Sequence, residues 1–205
     1  VATIDNATPE LAAQVKARGE AQKGMRYAFD WEGQRLRIKA QGLAAHSSKP
    51  EDGVNAIAML ADALAVHNWN GTAAANMASM VSELVGTGLY GEKFGQAAYR
   101  DDFMGPMTVS PTVLKQTAKG LELNINLRRP QGKPGAELRQ QFETAFNAWK
   151  ANRAPAATMN AVITEPWLRP DAPQIPILLN VFSHYTGVKD AKPVSIGGGT
   201  NSRLF

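Results

Sequence analysis

Not one cysteine occurs among the 205 residues, which excludes disulfides, thiolate metal sites and a cysteine nucleophile and leaves the redox compartment open. Histidine is nearly as scarce, with His46, His67 and His184 making up the whole supply. A catalytic zinc usually takes three protein ligands from histidine and carboxylate, and no H-x-x-x-H, H-x-D or Glu-Glu pattern is present to provide them. No metal ligand is therefore assigned in this chain. Also missing is any apolar run near the roughly 20 residues that a membrane-spanning helix needs. No membrane partner is expected, and a soluble protein of either cytoplasm or periplasm fits. There is no internal repeat and no low-complexity linker.

What is present is ordinary for a globular chain: 44% hydrophobic and 20% charged residues argue against wholesale disorder. The length suits one large domain or two small ones. Basic residues exceed acidic ones by 22 to 18, a balance that nucleic-acid binders share, but the charges are scattered. The densest basic stretch, Arg35, Arg37 and Lys39, alternates with Leu36, Ile38 and Ala40, which is the pattern of a strand's wet face. No nucleic-acid partner is expected; small anions suit the charge better. Val1 is not an initiator Met, no signal-peptide pattern follows it, and Phe205 comes just after a glycine-rich loop. Both ends read as cut.

Thr8-Pro9-Glu10 reads as a helix start and predicts a helix over about 8–22. Tyr27, Phe29 and Trp31, a Glu32-Gly33-Gln34 turn and the stretch Arg35 to Ala40 predict a β-hairpin. Val54, Ile57, Leu60 and Leu64 mark a helix over 54–66, and an alanine-rich helix is expected over about 72–85. Residues 86–107 read as loop with one short helix. Strands are expected from Thr108 to Leu114 and from Leu121 to Arg129, with Arg128 on the polar face of the second. Leu138, Phe142, Phe146 and Trp149 lie at helical spacing over 135–151 as core. Further expectations are a strand from Thr158 to Ile163, a helix from Ile175 to Tyr185 and a short buried strand from Pro193 to Ile196. Strand pairs and helices without a βαβ rhythm predict an α+β fold of antiparallel sheets with helices on one face.

The most informative stretch is Gly42-Leu43-Ala44-Ala45-His46-Ser47-Ser48-Lys49-Pro50-Glu51-Asp52-Gly53-Val54-Asn55-Ala56-Ile57. A histidine leaving a hairpin strand just before a helix start sits where a side chain can reach a ligand; the plainer alternative is a local cap. A Ser-His nucleophilic pair is disfavoured because neighbours on an extended chain point to opposite faces. His67 reads as a complement to a helix C-terminus, His184 as packing or surface, and Asp101-Asp102 as solvated loop. Arg128, in the run Arg128-Arg129-Pro130-Gln131-Gly132, either is solvated or clasps a carboxylate with two parallel hydrogen bonds. Gly197-Gly198-Gly199-Thr200 lets backbone N–H groups approach an anion or a tetrahedral intermediate, but it lacks the G-K-[ST] of a P-loop.

Taken together, GLAAHSSKPEDGVNAI at 42–57, NLRRPQG at 126–132 and SIGGGTNSRLF at 195–205 resemble one family. It is that of the co-catalytic di-zinc exopeptidases and deacylases, which includes acetylornithine deacetylase, succinyl-diaminopimelate desuccinylase and PepV-type dipeptidases; order and spacing look most like the PepV-type branch. The resemblance implies a ferredoxin-like lid or dimerisation domain, in expanded form, over residues 1–165. Residues 166–205 would finish the lid and start the return into a catalytic domain that binds two zinc ions outside this chain. It also implies that His46 stabilises an oxyanion, that Arg128 holds the substrate carboxylate, and that Gly197, Gly198, Gly199 and Thr200 line the substrate. Ser110 or Thr112 would add a polar contact. The implied partners are a dipeptide or N-acyl amino acid substrate, the chain's own catalytic domain, and a second copy as in dimeric relatives. A deacylase parent and a role as an interaction module are the alternatives.

Overall fold

The computed structural model describes residues 1–69 and 71–199. Thr8 caps the first helix as its sequence predicts: its hydroxyl oxygen accepts the Leu11 amide at 3.2 Å, and Pro9 opens α1 (Pro9–Glu20). A short strand that carries too few residues to show a period, β1 (Ala2–Ile4), precedes it. The predicted hairpin forms as β2 (Arg26–Glu32) and β3 (Arg35–Gln41), and β1 joins the free side of β3 to give an antiparallel sheet ordered β1-β3-β2. Leu36 and Ile38 are fully buried from it against Val15 of α1 and Ala63 and Leu64 of α2 (Ala56–Leu64). Arg18 of α1 donates to Asp62 of α2 at 2.7 and 3.1 Å, Gln22 donates to the same carboxylate at 2.8 Å, and the Tyr27 hydroxyl donates to Gln22 at 2.6 Å. The Arg18 hydrogen bond holds the Asp62 carboxyl below the usual range against the opposing pull of burial. Burial, then the Asp62 charge, pushes the Tyr27 phenol up to about 12.

The second half has its own core. Thr72 caps α3 (Ala73–Met80), which widens into a π-helical turn over Val81–Val85 where the sequence predicts one unbroken helix. That turn brings Val81, Leu84 and Val85 into the core together. No helix forms between 86 and 107. Instead β4 (Arg100–Asp101) and β5 (Gly105–Pro106) make a two-residue pair, closed by Asp101 Oδ1 accepting the amides of Met104 at 2.7 Å and Phe103 at 2.9 Å. Asp101 is thus a turn closer, and the Met104 amide above all lowers its carboxyl pKa. β6 (Thr108–Thr117) and β7 (Gly120–Arg128) pair antiparallel, and α4 (Gly135–Arg153) lays Leu138, Phe142, Phe146 and Trp149 against Leu123, Ile125 and Leu127. The architecture is α+β with antiparallel sheets, as its sequence predicts.

Beyond Ala154 two expectations fail. Residues 158–163 form no strand, although their exposure alternates residue by residue, with Met159 and Ile163 resting on the main core. Half-burial produces that alternation; a strand also needs a free neighbouring edge to pair with. The stretch 193–196 is likewise no strand, and it is not buried: Val194 is 83% and Ile196 62% exposed. Between them α5 (Gln174–Thr186) forms where expected and buries none of its residues.

Candidate functional site

The loop that carries His46 is closed at its base by a reciprocal pair of backbone bonds, Leu43 N–H to Val54 O at 3.1 Å and Val54 N–H to Leu43 O at 2.8 Å. The two chains run so close that a β-carbon on Gly42 would lie 2.0 Å from Val54 O, and one on Gly53 2.7 Å from Leu43 O. Only glycine fits either place. Asn55 then caps α2 by accepting from the amides of Ile57 and Ala58, and its own amide donates to Pro111 O at 2.7 Å, tying the end of the loop to β6.

Within the loop, His46 to Lys49 is a tight turn, with the Lys49 amide donating to His46 O at 2.8 Å. The imidazole folds over it: Ser48 N–H donates to Nδ1 at 3.2 Å, and Ser48 Oγ lies 2.8 Å from the same atom. A backbone amide can only donate, so Nδ1 accepts and the ring proton of neutral His46 sits on Nε2. The side chain is exposed. Ser47, the next residue, is held from both strands of the β6–β7 pair. Thr108 Oγ1 donates to its carbonyl at 2.7 Å, and Arg128 Nε donates to its hydroxyl at 3.1 Å.

Thr108 and Arg128 face each other because of an irregularity. The ladder shifts register between Pro111 and Val113, so Thr112 is an extra residue that slides Thr108 opposite Arg128 and Ser110 opposite Asn126. Thr108 and Ser110 are the buried polar residues among those described, at 5% and 8% exposed. Asn126 Oδ1, on the same face, is buried without a partner among the described residues. Gly197 completes the cluster from the far end of the chain. A β-carbon there would lie 2.6 Å from that of Ser48 and 3.7 Å from that of Arg128.

His46, Arg128, Ser110 and Gly197 are therefore gathered at one end of the β6–β7 pair. Gly198 is half-buried and Gly199 exposed beside it, and Thr200 lies outside the described residues. Thr112 stands apart: its hydroxyl donates to Asn124 O at 3.1 Å, and it lines a different groove, of about 770 Å³, among β1, α2, α3 and β6. That groove is apolar and holds none of the gathered residues. Arg129 turns the other way into structure, donating to Tyr99 Oη at 3.1 Å, Thr164 O at 3.1 Å, Glu165 at 3.2 Å and Lys133 O. His67 stacks edge-on against Trp69, and His184 against Tyr185.

Ser47, Thr108 and Asn126 were not singled out by sequence. Register arithmetic on an unbulged hairpin puts Val109 opposite Arg128, so the polar pairing becomes readable only once the bulge is known. Chemically, the site offers a ring N–H, a guanidinium and a close-approach glycine around one turn, a set of donors suited to an anionic or carbonyl-bearing small molecule.

Residues 34–154 match the family described as peptidase dimerisation domain. A Staphylococcus saprophyticus protein with the name "Putative dipeptidase" is 30% identical over 172 residues, covering 82% of this chain and 34% of that protein. "Putative dipeptidase YtjP" of Bacillus subtilis is 26% identical over 171 residues, with the same two shares covered. The chain spans about a third of the length of these curated relatives.

Proposed function

Since this chain belongs to the peptidase dimerisation domain family, we propose that it is the lid of a zinc-dependent dipeptidase, placed over a catalytic centre that other residues of the parent enzyme supply. The observation that carries the reading is the single turn that brings His46 and Arg128 together, with the turn residue between them bonded to Arg128. Arg128 presents its guanidinium to the free carboxylate at the substrate's C-terminus, which makes the enzyme an exopeptidase. His46 Nε2–H donates to the oxygen of the scissile carbonyl as negative charge develops on it, a contribution of about 10² to 10³ in rate. Gly197, Gly198, Gly199 and Thr200 line the substrate through their backbone, and Ser110 adds a buried hydroxyl beside Asn126.

Zinc, held by residues of the parent enzyme outside this chain, would supply the activation of the attacking water. Among the described residues no three His, Cys, Asp or Glu side chains come together, so the residues present do not fit a zinc centre and its ligands belong to the catalytic domain. Residues 1–165 form the lid proper and 166–205 lead back into that domain, a division supported by the bare apolar surface of α5. An N-acyl amino acid presents the same carboxylate, so a deacylase parent would use the same two residues. Arg128→Met in the complete enzyme tests the clamp: kcat/KM for dipeptides falls about 100-fold, and unchanged kinetics would remove the proposal.

A second reading, association of two copies, is favoured by the exposed apolar residues Val113 and Leu114 on β6 and by the matched family's description. Light scattering on the purified chain at micromolar concentration decides it, since a monomer there excludes a tight homodimer.

A further inference from the structure

Two residues at the heart of the site have no task in the reading above. A guanidinium offers a carboxylate two bidentate edges, one made of Nε with a terminal nitrogen and one made of both terminal nitrogens. Ser47 Oγ takes the Nε–H of Arg128, which leaves the terminal pair as the fork that a ligand meets. A neutral imidazole has two tautomers. Ser48 occupies His46 Nδ1 with both its amide and its hydroxyl, which leaves Nε2–H as the outward donor. Thr108 fixes the Ser47 carbonyl at 2.7 Å, and Gly197 abuts Ser48 too closely for any β-carbon. One turn thereby sets the orientation of both working side chains.

We infer that Ser47 and Ser48 are positioning residues, Ser47 restricting Arg128 to its terminal-nitrogen fork and Ser48 restricting His46 to the tautomer that donates from Nε2. The inference rests on the reading of His46 and Arg128 as substrate-facing groups. The serines touch no reacting atom in this scheme; they act through their neighbours.

Nitrogen-15 NMR of the 205-residue chain tests the geometry directly. Expected are a scalar coupling across the hydrogen bond from the Ser48 amide nitrogen to His46 Nδ1 and a ring proton on Nε2 when the imidazole is neutral. Ser47→Ala speeds solvent exchange of the Arg128 Nε–H at least tenfold, and Ser47→Thr restores its protection. A proton on Nδ1, or exchange indifferent to Ser47→Ala, overturns the inference. In the complete dipeptidase, Ser47→Ala raises KM for dipeptides about tenfold, the loss of one charge-assisted hydrogen bond, while Ser48→Ala lowers kcat. A dipeptide amide, lacking the carboxylate, does not respond to Ser47→Ala. Equal losses for both substrates in Ser47→Ala would mark a merely structural role and overturn the inference. If Arg128→Met abolishes discrimination between acid and amide while Ser47→Ala keeps it, the inference falls alone; if Arg128→Met discriminates normally, the functional reading fails and takes the inference with it.

Discussion

Residues 1–154 and residues 155–199 are rich in the same kinds of apolar side chain and end in opposite states. Every buried hydrophobic residue among those described lies at or before Ala154. After it, Ile177 is 65% and Tyr185 82% exposed on a helix that buries none of its residues and only half-covers Ile175, Leu179 and Ser183. Apolar spacing at 3.6 residues therefore announces a helix in both regions and tells nothing of what covers it. In the first region α2 and α4 find sheets of the same chain; in the second α5 finds none. The contrast separates a region whose helices and sheets cover one another from one whose helix stays largely exposed.

The comparison breaks most readily at the core under α4. Phe142 packs edge-on against Phe94 at 4.8 Å between ring centroids, beside the fully buried Leu138. Phe142→Ala is expected to destabilise the chain by about 3–5 kcal/mol through lost burial and a residual cavity. Urea unfolding followed by tryptophan fluorescence checks it, and a loss under about 1 kcal/mol would mean that the first region is no better packed than the second.

How much of this was legible in the sequence follows the same divide. The capped and strongly periodic pieces, Thr8 with α1, the Tyr27–Ala40 hairpin and the α4 stripe, were readable because their signals are local. β1 was not, since three residues carry no period, and the π turn at Val81–Val85 answers to tertiary packing. The segment 158–163 misled because alternation reports half-burial, and here Arg129 and the core hold the chain down without a partner strand. At the site, His46 and Arg128 stood out by type and place, but the bond from Arg128 to Ser47 that ties it to the His46 turn depends on the register shift at Thr112, which Pro111 hints at only by interrupting the ladder.

Loop closure provides the next test. Gly42 lets β3 pass within reach of Val54 O, whereas Gly198 meets nothing within 4 Å of its would-be β-carbon. Gly42→Ala is expected to cost about 1–3 kcal/mol through forced displacement of backbone and to loosen the His46 turn, read as loss of the Ser48-to-His46 coupling. Gly198→Ala leaves both unchanged. Equal effects would dissolve the distinction between the two regions at the site itself.

Charge gives a smaller effect with a defined sign. Asp62 is held low by Arg18, so its contribution is present above the unfolded carboxylate pKa of about 3.9 and is lost as pH falls below that value. Tyr27 is pushed up to about 12, so folding is undisturbed below the unfolded phenol value of about 10 and weakens as pH rises from there toward 12. Asp62→Asn flattens the acid limb of a stability-versus-pH curve from denaturant melts. An acid limb of unchanged steepness in that variant would show that the tie between α1 and α2 carries no pH dependence.

The smallest change in stability is expected where the apolar surface is largest. Ile177, Leu178, Val181 and Phe182 of α5 are all at least 48% exposed, and side chains that already keep that much of their surface in water have less transfer free energy to lose than core residues. Ile177→Lys with Phe182→Lys should therefore shift the unfolding free energy of the isolated chain by no more than about 0.5 kcal/mol, although the same pair of changes in a core helix would unfold it. In the complete enzyme the same double variant is expected to fold poorly, because there the proposed catalytic domain covers that face. A loss above about 2 kcal/mol in the isolated chain would mean that α5 packs against residues 1–154 in solution, and the two regions would then be one.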